Sequence, residues 1–232
     1  MRITFEIPET ILHQLLDPVP MPLMARVRYD EPTPTSIEDV EDAVRRQFNR
    51  REIRDTIRPG QRIAIAAGSR GIGKLPEIVR SLVQVLRERG ARPFIFPAMG
   101  SHGGATAEGQ RAVLAHLGVT EESVGAPIES SMAVEVIGHT AGGEPVQLDS
   151  LAARADGIVM VARVKPHTAF RGPYESGLAK MIAIGLGKQA GAATTHARGF
   201  GEMARQVPER ARVSLSKAPI RFGLATLENA HD

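Results

Sequence analysis

The chain has no cysteine and no tryptophan, and aromatic residues fill only 4% of its 232 positions. Without thiols there is no disulfide scaffold, thiolate nucleophile, cysteine-ligated zinc or iron–sulfur cluster, so a bound metal would be held by histidine, by carboxylates or by a ready-made group. So few aromatics do not furnish the stacking platforms of a single-strand nucleic-acid binder. An excess of one charge is missing too. The 29 Lys and Arg against 26 Asp and Glu leave a formal +3, with no run of like charge to act as a nucleic-acid arm. No uninterrupted apolar run approaches the roughly 18 residues of a membrane span, and the opening MRITFEIPET lacks the basic and apolar regions of a secretory leader. The expectation is a cytoplasmic protein with neither a membrane nor a nucleic-acid partner. Lysine is also scarce, at positions 74, 165, 180, 188 and 217 only, so arginine serves wherever a generic positive charge suffices and each lysine invites a question.

What is present is a globular composition, 42% hydrophobic and 24% charged, of one or two domains. A short strand is expected over Arg2 to Ile7, followed by the extended, proline-rich MPLMARVRYDEPTPT. Ser36 with Asp39 three residues on resembles a capping box and predicts a helix over about 37–49, within a helical lead-in at 35–60. Pro59-Gly60 turns into RIAIAAG, a short apolar run suited to a doubly buried strand, which ends in GSRGIGK. Pro76 opens a helix with Ile78, Leu82, Val85 and Leu86 on one face, stopped by Gly90. A strand at PFIFP, a second glycine-rich loop at AMGSHGG and a helix from about Thr106 to Leu117 follow. AVEVIG and EPVQLD around HTAGG read as a hairpin, and DGIVMVARV as the central strand. After it come the Gly- and Ala-rich KPHTAFRGPYESGLAKMIAIGLGKQAGAATTH, a short helix over about 202–207 interrupted at Pro208, and a strand at RFGLATLE. Strand, loop and helix alternate, with glycine-rich loops at the C-terminal ends of strands. That order predicts an α/β fold, a mainly parallel sheet with flanking helices and a small β-rich insert, with ligands at those strand ends.

Gly68 to Lys74 has the G-x-x-x-x-G-K spacing of a phosphate-binding loop, but Leu75 stands where a hydroxyl would ligate magnesium. The motif therefore reads either as a strand-to-helix turn that uses glycine for φ > 0, or as a turn whose amides and Arg70 cradle a phosphate or carboxylate. His102, flanked by glycines in GSHGG, and His167, in VKPHTAF, each follow a strand. Imidazole moves protons both ways near neutrality, so two of them at neighbouring strand ends suit the symmetric acid–base work of a racemase. His13, His116, His139 and His231 sit in helix faces, a hairpin turn and a terminus and carry no functional expectation. Lys180, in SGLAKMIAIGLG, is a snorkelling helix lysine on a bland reading. Its clustering with Lys165, Lys188, His167 and His196 within 32 residues admits a covalent or Schiff-base role instead. His196 is suited to a metal, since nickel, zinc and copper all accept neutral imidazole.

GSRGIG, PAMGSHGGAT and VKPHTAFRGPYESGLAKMIAIGLGKQ followed by His196 resemble the N-terminal domain of the nickel-dependent lactate racemase family, over about Ile63 to His196. The resemblance implies a single lactate-racemase-like α/β domain over residues 1–232, without the family's C-terminal domain. It implies an isomerase that racemises or epimerises a small 2-hydroxy acid by reversible hydride transfer to a nickel pincer nucleotide, a pyridinium mononucleotide whose sulfurs serve as metal ligands in a cysteine-free chain. Carried over, Lys180 is the attachment residue and His196 the protein ligand to nickel. His102 and His167 are the acid–base pair, Arg70 meets the substrate carboxylate, and Gly68, Ser69 and Gly100 line the cofactor. The cofactor-synthesis enzymes are implied partners. Two departures leave lactate or a larger hydroxy acid open. Ala67 replaces an acidic residue three positions before the arginine, and PYES replaces a more glycine-rich stretch. A different class also fits the residues alone: a non-catalytic α/β module that binds a nucleotide or anion.

Overall fold

The computed structural model describes residues 36–228 continuously, with Thr10, His13, Gln14, Asp17, Leu23, Ala25 and Arg26 before them. The expected strand over 2–7, most of the proline-rich stretch and His231 lie outside the described residues. Residues 35–232 form one compact unit, which carries everything below.

The lead-in helix α1 (Val40–Phe48) starts later than the Ser36 pattern suggests. Its cap is Asp39, whose carboxylate accepts the Asp42 N–H at 2.8 Å and so satisfies one of the free amides of the first turn. A short α2 (Arg51–Arg54) follows. Strand β1 (Arg62–Ala67) and helix α3 (Leu75–Glu88) flank the first glycine-rich turn, and β2 (Arg92–Pro97) and α4 (Ala107–His116) flank the second. Thr106 caps α4 by accepting from the Gly109 N–H. A one-turn α5 (Glu121–Val124) leads to the hairpin β3 (Val134–His139) and β4 (Pro145–Asp149), which forms its own antiparallel pair. The one-turn α6 (Ser150–Ala153) precedes β5 (Gly157–Arg163). Helix α7 (Gly177–Lys180) then runs into a π-helical turn, Met181–Gly185, and α8 (Lys188–His196). The chain closes with α9 (Met203–Lys217) and β6 (Ile220–Thr226).

The main sheet has the order β2-β1-β5-β6 with every pair parallel, as the alternation of strands and helices predicts. Side-chain size alternates along its inner strands. Ile63, Ile65, Val159 and Val161 enter the core beneath α1 and α3, while Ala64, Ala66, Ile158 and Met160 enter the one that includes Ile182 and Leu186. The alanines of β1 leave room on that second face for Phe94 and Phe96 of β2. Chain order reverses about β1, because β2 is laid on its left and β5 on its right. The C-terminal ends of β1 and β5 therefore flank a topological switch point, where α/β sheets leave a crevice.

Pro208 does not interrupt the last helix. It is the sixth residue of α9, which continues through it to Lys217. An interior proline costs a helix about 3 kcal/mol. Burial of Met203, Val207 and Ala211 along the same helix offsets that loss, a tertiary effect that local propensity does not register. Among the described residues no helix is long and apolar enough to cross a membrane.

Candidate active site at the strand ends

Three strand ends meet here. The turn after β1 brings Gly68, Ser69 and Arg70, the loop after β2 brings Gly100 and His102, and the segment after β5 brings Lys165 and His167. Lys180 arrives from behind, at the junction of α7 with the π-helical turn.

The second loop is built from left-handed backbone. Gly100, Gly103, Gly104 and Ala105 all have φ between 55° and 66°, which is why GSHGG is needed around His102. Ser69 Oγ lies against His102 Nδ1, so a hydroxyl from the first loop orients the imidazole of the second. His167 is held differently. The Ala169 N–H donates to its Nδ1 at 3.1 Å, which assigns the proton of the neutral ring to Nε2. Its own N–H donates to Glu175 at 2.8 Å, and the other Glu175 oxygen accepts from Gly172 at 3.1 Å. The Ser176 hydroxyl accepts from the Lys165 N–H at 2.7 Å and returns a bond to the Lys165 carbonyl. The PYES stretch thus supplies the two side chains that shape the turn carrying His167. Sequence spacing gave no sign of either, because their partners are backbone atoms of another segment.

Electrostatics tie these groups together. His102 is pushed below its ordinary pKa by the atoms crowding its ring, then by Arg70 and Lys180. His167 is lowered by burial, then by Lys180, Arg70 and Lys165, with Glu175 opposing. Both imidazoles feel the same two cations and are held neutral. Lys180 is pulled from 10.5 to about 8, first by burial and then by Arg70 and Lys165, and nothing acts on it in the other direction. Its ammonium lies 5.7 Å from the centre of the Phe170 ring, whose far neighbour is His167 at 4.4 Å. Arg70 is exposed and makes no ion pair or hydrogen bond among the described residues. A half-buried amine drawn down to about 8 holds more of its nucleophilic free base near neutrality than an ordinary lysine, and a guanidinium without a partner among the described residues has its two-pronged donor face open to a carboxylate.

Other expected site residues are placed elsewhere or given other work. Gly68 and Gly100 have packing reasons to be glycine: a Cβ on Gly68 would come 3.2 Å from the Met181 side chain, and one on Gly100 3.4 Å from Ala192 and 3.5 Å from Ile184. Ala67 is fully buried in the core under α3, so the replacement of an acid there does not reach the crevice by its side chain. His196 closes α8 with its ring 5.8 Å from Phe200. None of the hydrogen bonds, ion pairs or charge effects among the described residues joins it to Lys180, His102 or His167. No group of three His, Asp or Glu side chains comes together among them either. In the first loop the left-handed residue is Lys74, at φ 56°, rather than a glycine, and its ammonium turns to the Glu38 carbonyl at 3.4 Å. The Gly73 N–H, one of the amides of this turn, already donates to Glu228 at 2.8 Å, and Glu228 pairs in turn with Arg163.

The fold and the sequence have known relatives. The structure is similar to that of the lactate racemase apoprotein from Thermoanaerobacterium thermosaccharolyticum, with a TM-score of 0.57 at 18% identity over 83% of this chain. The chain spans 49% of that protein's length, about half. No curated protein matches it. The lactate racemase N-terminal domain, as a sequence family, matches residues 3–207. On that match, which covers nearly the whole chain and both glycine-rich loops, the protein belongs to the lactate racemase N-terminal domain family.

Proposed function

We propose that this domain carries the cofactor and the proton-transfer groups of a racemase or epimerase acting on a small 2-hydroxy acid, and that it works in the cytoplasm with a nickel pincer nucleotide made by dedicated synthesis enzymes. The observation that carries the proposal is Lys180: an amine drawn to about 8, with no opposing carboxylate among the described residues, and sharing its charge field with two histidines of lowered pKa and an arginine that has no partner among those residues. The half-buried Lys180 amine and the two histidines that share its charge field fit the group. Lys180 would hold it through a thioamide, His196 would ligate its metal, and Ser69 with the amides of the Gly68 and Gly100 loops would meet its nucleotide portion. When bound, the group supplies a hydride acceptor that is also a hydride donor.

Arg70 orients the substrate by a two-pronged bond to its carboxylate. His102 and His167 then serve the hydroxyl on C2, and their resting states differ. The Ser69 hydroxyl both donates and accepts, so His102 can expose a bare Nε2 and take the hydroxyl proton. His167, fixed with its proton on Nε2 by the Ala169 N–H, begins as a donor to the substrate oxygen and must release that bond to act as a base. A non-catalytic anion-binding module is the weaker reading, because the Gly73 amide of the first loop is taken by Glu228 and such a module gives the lowered Lys180 amine no work.

The test is intact-mass and metal analysis of the chain produced together with the cofactor-synthesis enzymes. A mass adduct on Lys180, lost in Lys180→Ala, with stoichiometric nickel that is lost in His196→Ala, is the expected result. An adduct on Lys74, Lys165 or Lys188, or none at all, overturns the proposal.

A further inference from the structure

The loop carrying His102 does not stand by its own turns alone. Its inner side rests on the start of α4, where a Cβ on Gly103 would come within 2.6 Å of the Gly109 and Gln110 backbone. Gln110, fully buried, faces the loop. Its Nε2 donates to the Gly100 carbonyl at 2.8 Å and to the His102 carbonyl at 3.2 Å. The other end of that amide accepts from Lys188 Nζ at 2.9 Å. Lys188 is itself fully buried, at φ 52°, and its ammonium also donates to the Pro97 carbonyl at 2.5 Å and pairs with the buried Asp149 at 3.1 Å. An ammonium only donates and backbone carbonyls only accept, so the orientation of the Gln110 amide is fixed from both sides. Asp149 in turn caps α6 through the N–H groups of Leu151 and Ala152. A continuous polar chain thus runs from Asp149 through Lys188 and Gln110 to the two carbonyls that bracket His102, and Lys188 begins the helix directly after the π-helical turn of Lys180.

We infer that Gln110 is a positioning residue for His102, anchored by the buried Lys188–Asp149 pair, and that this relay fixes the imidazole loop relative to the segment bearing Lys180. A buried charge pair and a left-handed lysine are costly to keep for packing alone, since apolar residues of like size serve a core as well. Left-handed backbone on both sides of His102 leaves the loop few amides for a regular ladder: the His102 carbonyl accepts from the Ala105 N–H at 3.3 Å, while the Gly100 carbonyl takes its donor from outside the loop. Gln110 is the side chain that supplies it.

The inference rests on the reading of His102 as an acid–base group, but its test needs no turnover. In the native chain, the side-chain amide protons of Gln110 are expected to exchange with water at least about tenfold more slowly than those of an exposed glutamine. Exchange at the free rate overturns the inference, and this measurement decides the matter should a variant fail to fold. In Gln110→Met, the NMR titration midpoint of His102 should move towards that of an ordinary histidine while His167 keeps its own. No movement, or an equal movement of both, overturns it. In the cofactor-loaded full protein the same variant should lose about 10–100-fold in kcat with KM within about threefold, the scale of a small misplacement of a reacting group. A change in KM alone counts against the assignment. A missing adduct on Lys180 would remove the racemase proposal and leave both NMR outcomes to be judged by themselves.

Discussion

Lys180 is held at a cost to stability. In the unfolded chain its amine titrates near 10.5, and in the fold near 8, so between those pH values the unfolded state binds the proton more readily and stability falls as pH falls. Below about 8 the penalty is present in full. Lys180→Met should therefore raise Tm at pH 7 by roughly 1–3 °C, a modest gain because the group is only half-buried. The same substitution removes a cation that depresses both imidazoles, so the titration midpoints of His102 and His167 should both rise. Calorimetry and histidine NMR check the two halves, and a lower Tm with unmoved histidines would contradict them. Glu175 behaves oppositely: amide bonds from His167 and Gly172 hold its carboxyl below the usual range. Its support for the His167 turn is complete above the ordinary carboxylate pKa and is lost as pH falls through the depressed one, so acid should loosen that turn while leaving the His102 loop pinned. The places of Arg70, His102 and His167 after strand ends, and the partial burial of Lys180, were legible in the sequence, because each follows a predicted strand or sits in a segment that burial would make expensive for it. Glu175, Gln110 and Glu228 were not, since the bonds that matter here go to the backbone of His167, Gly100 and Gly73, which lie 8, 10 and 155 residues away, and their own spacing carries no pattern.

Among the elements, the π-helical turn after Lys180 is the one that propensity could not foresee. MIAIG reads as ordinary apolar helix, whereas the chain widens there into a π-helical turn whose Gly185 lies against the residue that follows β2. A Cβ on Gly185 would lie 2.5 Å from the Ala98 carbonyl oxygen, a backbone atom that cannot step aside. Gly185→Ala should accordingly destabilise the domain by about 1–3 kcal/mol, as overpacking does, with a lower urea midpoint. Gly71→Ala is the control, because nothing lies within 4 Å of the added methyl and φ there is not left-handed, so its effect should stay within about 0.5 kcal/mol. Helix α9 teaches the converse lesson. Pro208 predicts a break by local rules, and the helix persists because its buried face extends well beyond the proline on both sides.

Across the whole molecule, β1 separates two cores of different grain. Ile65→Ala should cost about 2–5 kcal/mol by leaving a cavity beneath α3. Ala66→Leu should cost about 1–3 kcal/mol by crowding the opposite face, against which Met181 packs. Only the second is expected to slow acylation of Lys180 beyond what its stability loss explains, and chemical denaturation beside adduct kinetics distinguishes them. The mainly parallel α/β class was legible from the alternation of glycine-rich loops with strands, whereas the strand order was not, because a strand's neighbours depend on contacts across the whole fold. The bond from Gly73 to Glu228 spans 155 residues and ties the Arg70 turn to the end of β6. During synthesis the first glycine-rich turn emerges 155 residues before the carboxylate that ties it to the end of β6, so until Glu228 has been made the Gly73 amide finds its partner in water.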